Sequence, residues 1–186
     1  MVSIAALWLP IVVSAVLVFV VSSVMHMVLP LHKADFKQLP SEDEVMDALR
    51  KFNIPPGDYM MPRPENMAAM RSPEHKARVA KGPIGVMTFF PPNQTGMGAS
   101  LAQWFVYSIV VGVFAAYVSG HALGPAAHYL KVFRFVGAVA FMCYGVALVQ
   151  DSIWYKRDWG TSARYLFDAL VYGMVTAGTF GWLWPK

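Results

Sequence analysis

Residues 4–29 contain no Lys, Arg, Asp or Glu. About 20 apolar residues are enough for an α-helix to cross the hydrocarbon of a bilayer. Three more charge-poor runs follow. Residues 101–120 carry no formal charge, residues 132–150 carry only Arg134, in the first turn, and residues 165–184 carry only Asp168, also placed in the first turn. Runs of this length exceed ordinary core helices, and in lipid a helix satisfies its own backbone without leaving an open edge. Only 14% of the residues are charged, against about a quarter in a soluble domain, too few to cover a water-facing surface. The expected fold is an all-α membrane protein with four transmembrane helices. Residues 4–30 form the first, 31–100 a proline-rich extramembrane segment, and 101–186 a three-helix transmembrane bundle. Residues 4–29 lack a basic leader and a small-residue cleavage site, so they are read as a retained helix rather than a secretory signal.

Aromatic residues support the same spans. Trp8, Tyr117, Trp182 and Trp184 fall at one expected level, and Trp104, Trp154, Tyr155 and Trp159 at the other; Trp and Tyr favour both interfaces. Four spans put both termini on one side. Near the spans that side has Lys131, Arg134 and Lys186, while the other has Lys33, Lys37, Lys81, Lys156, Arg157 and Arg164. The bias of Lys and Arg towards the cytoplasm puts the termini outside and residues 31–100 inside, as expected for a bacterial cytoplasmic (inner) membrane. Basic residues are scattered and mixed with acids, which excludes a nucleic-acid surface.

Residues 31–100 hold most of the chain's thirteen prolines, with nine basic and eight acidic residues. Ser41 and Glu44 have capping-box spacing. Val45, Met46, Leu49 and Phe52 recur at helical spacing, and Pro55 and Pro56 close that helix. Residues 57–81 read as irregular because of their prolines. Residues 84–90 are apolar and suit docking at the lipid interface. The segment cannot build a large core, so it is expected to lie on the membrane domain or on a partner.

Small residues recur at every fourth position in two spans: Ser108, Gly112, Ala116 and Gly120 in the second, Ala169, Gly173, Ala177 and Gly181 in the fourth. Such stripes let helix backbones approach closely. The pattern leaves open whether the contacts lie within one chain or between chains.

Polar groups gather near the expected cytoplasmic boundary. His26 ends the first span, with His32 just beyond it. Gln103 begins the second, Gln150 and Asp151 end the third, and Arg164 and Asp168 begin the fourth as an i,i+4 pair. Ionisable residues within a span form a candidate ligand or ion site, weighed against a purely structural polar cluster. Met25, His26, Met27 and His32 offer soft ligands suited to Cu(I). Met25 and Met27, however, lie about 200° apart on a helix and cannot share one ion with His26, and haem on His26 with a second histidine has as little support. No metal or cofactor is therefore expected. Cys143 reads as a small apolar residue. Residues 93–98 could offer backbone N–H groups to an anion, but they read better as a helix-capping loop.

Gln103-Trp104-Phe105, Ser152-Ile153-Trp154-Tyr155 and Gly178-Thr179-Phe180-Gly181-Trp182 resemble an uncharacterised bacterial four-span integral membrane protein family with one N-terminal span, a proline-rich segment and a three-helix C-terminal part. The resemblance runs over the whole chain and implies no site residue. No GxSxG, P-loop, HExxH or GxGxxG motif is present, so no enzyme is expected. The leading expectation is a structural or accessory membrane protein that associates with other membrane subunits or with itself. The alternative is a small transport or ligand-binding protein using the polar cluster, and a weaker one is a metal- or haem-binding redox protein.

Overall fold

The computed structural model describes residues 1–92 and 96–186. The chain is mostly helical, and it divides into two units: Met1–Phe36 with Met97–Lys186, and Lys37–Gly96.

The first unit is built on four long helices. Three stretches are long and apolar enough to cross a membrane: Ala5–Val28, Gly98–Ala122 and Tyr129–Trp154. They mark an integral membrane protein. Within the first stretch, α1 is Trp8–Ser23; Gly98–Ala122 is α5; the third contains α6 (Tyr129–Tyr144), a 3₁₀ turn and α7 (Val149–Trp154). The last helix, α8 (Trp159–Trp182), has comparable length, but Arg164, Asp168 and its many Gly and Thr residues make it less apolar. The helices pack in cyclic order, α1 on α5, α5 on α6, α6 on α8 and α8 back on α1. Leu7, Ile11, Ala116, Val132, Val136, Ala177 and Phe180 fill one half of the interior, and Val18, Met25, Val111, Ala140, Tyr144 and Tyr172 the other. The outer faces remain apolar: Val16 and Val20, Val110 and Phe114, and Phe167, Leu170 and Met174 are all exposed.

The small-residue stripes are spent inside the chain. Ser108, Gly112, Ala116 and Gly120 are buried, and a Cβ on Gly112 would meet Ile11 of α1 while one on Gly120 would collide with the Val2 carbonyl. Val2 N–H donates to the Gly120 carbonyl at 2.7 Å, so this close approach holds the N-terminus on α5. In α8, Ala169, Gly173, Ala177 and Gly181 face α6 and its start: Ala177 lies against Gly137, Gly173 against Phe141, Gly181 against the Tyr129 ring and Ala169 against Gly145.

The C-terminus is tied at the same end. Trp184 Nε1–H donates to the Gly124 carbonyl at 3.0 Å, and Ala126 N–H donates to the Pro185 carbonyl at 2.8 Å. Trp184 therefore turns inward as an anchor. Trp104 also points inward, donating to Ser22 Oγ at 2.8 Å. Trp8, Trp154, Tyr155, Trp159 and Trp182 are exposed.

The second unit corrects the expectation that residues 57–81 are irregular and that the chain is all-α. α2 (Glu42–Arg50) is followed by β1 (Gly57–Met61), α3 (Met67–Arg71), α4 (Pro73–Lys81) and β2 (Gly85–Phe89). The strands pair antiparallel, from Gly57 opposite Phe89 to Met61 opposite Gly85. Thr88 Oγ1 donates to Asp58 at 2.7 Å, and the Tyr59 and Phe89 rings meet edge to face. The prolines sit between these elements, at 55, 56, 62, 64, 83, 91 and 92, or at the first position of α4, where the missing N–H costs nothing. They punctuate the elements and do not prevent them. Asn66 caps α3 and Ser72 caps α4 by accepting from Ala69 and His75 N–H. Ser41 holds the N-cap position of α2 but makes no side-chain cap bond, so the capping-box expectation fails there. Among the described residues of this unit none is buried, and the apolar residues 84–90 are largely the second strand.

Candidate functional site

The first span ends irregularly. After Ser23 the α-helix widens into a π-helical turn, Val24–Val28, closed by Leu29 N–H on the Val24 carbonyl at 3.1 Å. Such wide turns recur at functional sites. Pro30 then forces Leu29 into an extended conformation and opens a 3₁₀ turn, Pro30–His32. The reversal brings His32 back beside His26, their rings stacked with centroids 4.1 Å apart and planes 6° apart.

Asp168 comes to the same place from α8. That helix begins at Trp159, with Asp158 capping Thr161 N–H at 3.1 Å. Asp168 is thus well inside the helix and not in its first turn, and its side chain is only 3% exposed. Its Oδ2 lies 3.0 Å from His32 Nε2 and 3.7 Å from His26 Nε2. The closer approach lacks hydrogen-bond geometry: among the described residues, both Asp168 oxygens and His32 Nε2 are buried without a hydrogen-bond partner.

Each histidine is held through its other nitrogen. His26 Nδ1 lies 3.1 Å from the Ser22 carbonyl, which can only accept. His32 Nδ1 lies 2.7 Å from Asp35 Oδ2. Both partners place a proton on Nδ1, and in the neutral ring this leaves a lone pair on Nε2. Asp35 in turn accepts from Arg164 Nε at 2.6 Å, and Arg164 also donates to Thr161 Oγ1. Burial opposes the charge on Asp35, but the hydrogen bonds from His32 and Arg164, with the Arg164 charge, outweigh it and hold the carboxyl below its ordinary value of 3.8.

A cavity of about 400 Å³ opens beside this cluster. Ser22, Ser23, His26 and Met27 line it from the first span, Met97, Leu101, Trp104 and Tyr107 from α5 and the residue before it, Tyr144 and Leu148 from the third stretch, and Tyr165, Asp168, Ala169 and Tyr172 from α8. Trp104, Tyr144 and Tyr172 form a triangle of rings with centroids 5.5–5.9 Å apart, which suits tilted and edge-to-face contact. The Tyr172 hydroxyl lies 3.5 Å from His26 Nδ1. The wall is therefore aromatic and apolar, with the two-histidine, one-carboxylate cluster at one side.

Of the six residues expected at the site, His26 and Asp168 line the cavity and Arg164 supports them through Asp35. Arg164 does not pair with Asp168 as its i,i+4 spacing implies, because Asp35 engages the guanidinium. Gln103 and Gln150 are exposed, and Asp151 faces Arg157 at 3.6 Å at the surface. These three do not join the cluster, because each points off the bundle on its own helix. Sequence reasoning missed Asp35, Tyr144 and Tyr172 and left His32 outside the site. The His-x-x-Asp spacing of His32 and Asp35 was the available signal. For the anion-binding loop, residues 93–95 lie outside the described residues, and α5 starts at Gly98 with no side-chain cap. No family model matches the chain, and no curated protein or solved structure is significantly similar to it.

Proposed function

We propose that this chain is a four-span integral membrane protein that binds a small ring-bearing molecule in the cavity beside His26 and Asp168. The observation that carries this reading is the buried Asp168 carboxylate, without a hydrogen-bond partner among the described residues, at the side of an aromatic cavity. Binding sites combine a mostly apolar wall with a few convergent polar groups in this way. The ring triangle of Trp104, Tyr144 and Tyr172 suits a flat ligand, and the cluster suits its polar head group. The accessory-subunit reading rested on the small-residue stripes, the coreless extramembrane segment and the missing catalytic motifs; packing within the chain occupies the stripes and removes the first of these supports.

The test uses the full chain in nanodiscs, titrated with a panel of single-ring phenols and quinones and read by calorimetry. Saturable binding of about one molecule per chain is expected, with loss in Leu148→Trp, which places an indole in the cavity. The absence of saturable binding throughout the panel, or equal binding by wild type and variant, would reject the proposal.

In this reading α8 is the fourth span. Its polar face turns inward to the cluster and its Phe167, Leu170 and Met174 face lipid. The excess of Lys and Arg near the other side then supports outward termini and a cytoplasmic Lys37–Gly96 unit in a bacterial cytoplasmic membrane. A C-terminal alkaline phosphatase fusion should be active in a bacterial host; an inactive fusion with an active C-terminal fluorescent protein would reverse the orientation.

A further inference from the structure

The geometry points to a divalent first-row transition-metal site formed by His26 Nε2, His32 Nε2 and the Asp168 carboxylate. The inference deepens the ligand-binding proposal and rests on its reading of the cavity as a binding site.

The three ligand atoms lie within 4.8 Å of one another. With both rings neutral and protonated on Nδ1, all three are lone-pair acceptors, so without a cation they repel. Burial agrees: the Asp168 side chain is 3% exposed, and among the described residues neither of its oxygens has a hydrogen-bond partner. Buried charges are normally paired or coordinate a metal.

Geometry fits as well. With metal bonds of about 2.1 Å, the 3.0 Å between His32 Nε2 and Asp168 Oδ2 subtends about 90° at the ion. The 3.7 Å to His26 Nε2 subtends about 125°. His26 must tilt out of its stack with His32 to direct its lone pair, and its side chain, 40% exposed, has room to do so. Asp35 behind His32 is the outer carboxylate that fixes ring orientation and tautomer in histidine metal sites. Two histidines and one carboxylate leave coordination positions open, the pattern of non-haem Fe(II) sites and of catalytic zinc. The cavity lies where an exogenous ligand would reach those positions.

The experiment uses the full chain, purified in detergent without a polyhistidine tag, stripped with chelator and titrated with Co(II) alone while visible absorption is recorded. Expected is one Co(II) per chain, displaced by Zn(II). His32→Gln and Asp168→Asn should lose on the order of 100-fold or more in affinity. Asp35→Asn, a positioning change, should lose about 10- to 100-fold. His26→Gln, at the exposed edge of the cluster, should weaken binding and change the spectrum. If folded wild type takes up no Co(II), the metal inference falls and His32 is a proton-bridged structural residue. Should that protein still bind the phenol panel, the ligand-binding proposal survives alone; should it bind neither, both fall. Unchanged Co(II) binding in His32→Gln and Asp168→Asn would put the ion elsewhere and equally overturn the site.

Discussion

Arg164→Met should destabilise the membrane unit by about 3–5 kcal/mol at neutral pH, the usual cost of stranding one member of a buried ion pair. Methionine keeps much of the apolar stem and removes only the guanidinium. Asp35, 2% exposed in its side chain, would then keep its charge with His32 as the remaining partner. The pH dependence follows from the sign of the Asp35 shift. Burial alone raises a carboxyl; the bonds from His32 and Arg164 reverse this and lower it. A lowered value contributes stability that is full above the unfolded value, near 3.8, and is lost as pH falls through the folded one. Without Arg164 the burial penalty falls on the charged form and is relieved when Asp35 takes a proton. The deficit against wild type should therefore be full at pH 7 and shrink as pH falls through the carboxylate range. Arg157→Met is the control. Arg157 faces Asp151 at 3.6 Å, both partners are about a third exposed, and it lies 4.5 Å from the centre of the Tyr165 ring; such contacts contribute about 1 kcal/mol or less each. Denaturation of the full chain in mixed micelles at several pH values measures both. A loss in Arg164→Met no larger than that in Arg157→Met, or independent of pH, would mean that Asp35 is not held as a buried ion.

The parts legible in sequence were those set by composition along one helix. An uncharged run such as residues 4–29 needs no partner to be recognised, and four small residues at every fourth position in α5 mark a close approach whatever lies across it. Which helix lies across was not legible, because the Gly112 contact with Ile11 depends on tertiary order. The proline-rich segment was misjudged for a specific reason. Counting prolines treats them as breakers wherever they fall, yet Pro73 opens α4 and Pro83 ends the turn before β2. Their positions, and not their number, decide the outcome.

The site was half legible for a related reason. Scanning the spans found His26 and Asp168 but put Asp168 at a helix start, because the apolar run begins at residue 165 while the helix begins six residues earlier at Trp159. Gln103, Gln150 and Asp151 share an expected depth with the cluster, but depth says nothing of the face a residue occupies. His32 and Asp35 lie beyond the apolar run, where the spans alone give no reason to count them into the site. Only the π turn and the Pro30 reversal, which no periodicity encodes, fold them back onto α8.

Asp168→Asn should split stability from binding, and the sign of its effect separates the two explanations of the cluster. If His32 carried two ring protons, Asp168 would pair with an imidazolium, and removing its charge would strand that cation at a cost of about 3–5 kcal/mol. The metal site requires the neutral ring, which the Nδ1 contacts to Ser22 and Asp35 allow. With a lone pair on each Nε2, the Asp168 charge has no partner in the metal-free chain, and burying a polar group without one costs about 1–3 kcal/mol. Asparagine removes that charge and keeps the size and shape of the side chain. Metal-free Asp168→Asn should therefore be more stable than metal-free wild type, by about 1–3 kcal/mol. Zinc should invert the order. At about 1,000 times its dissociation constant a ligand that binds only the folded state adds about 4 kcal/mol, a gain open to wild type and closed to the variant. Thermal unfolding of both proteins, with chelator and with zinc, gives the four values needed. A variant less stable than wild type under chelator, with no response to zinc in either protein, would establish the imidazolium pair and remove the metal; crossing curves would show a carboxylate kept at the expense of stability for the ion it holds.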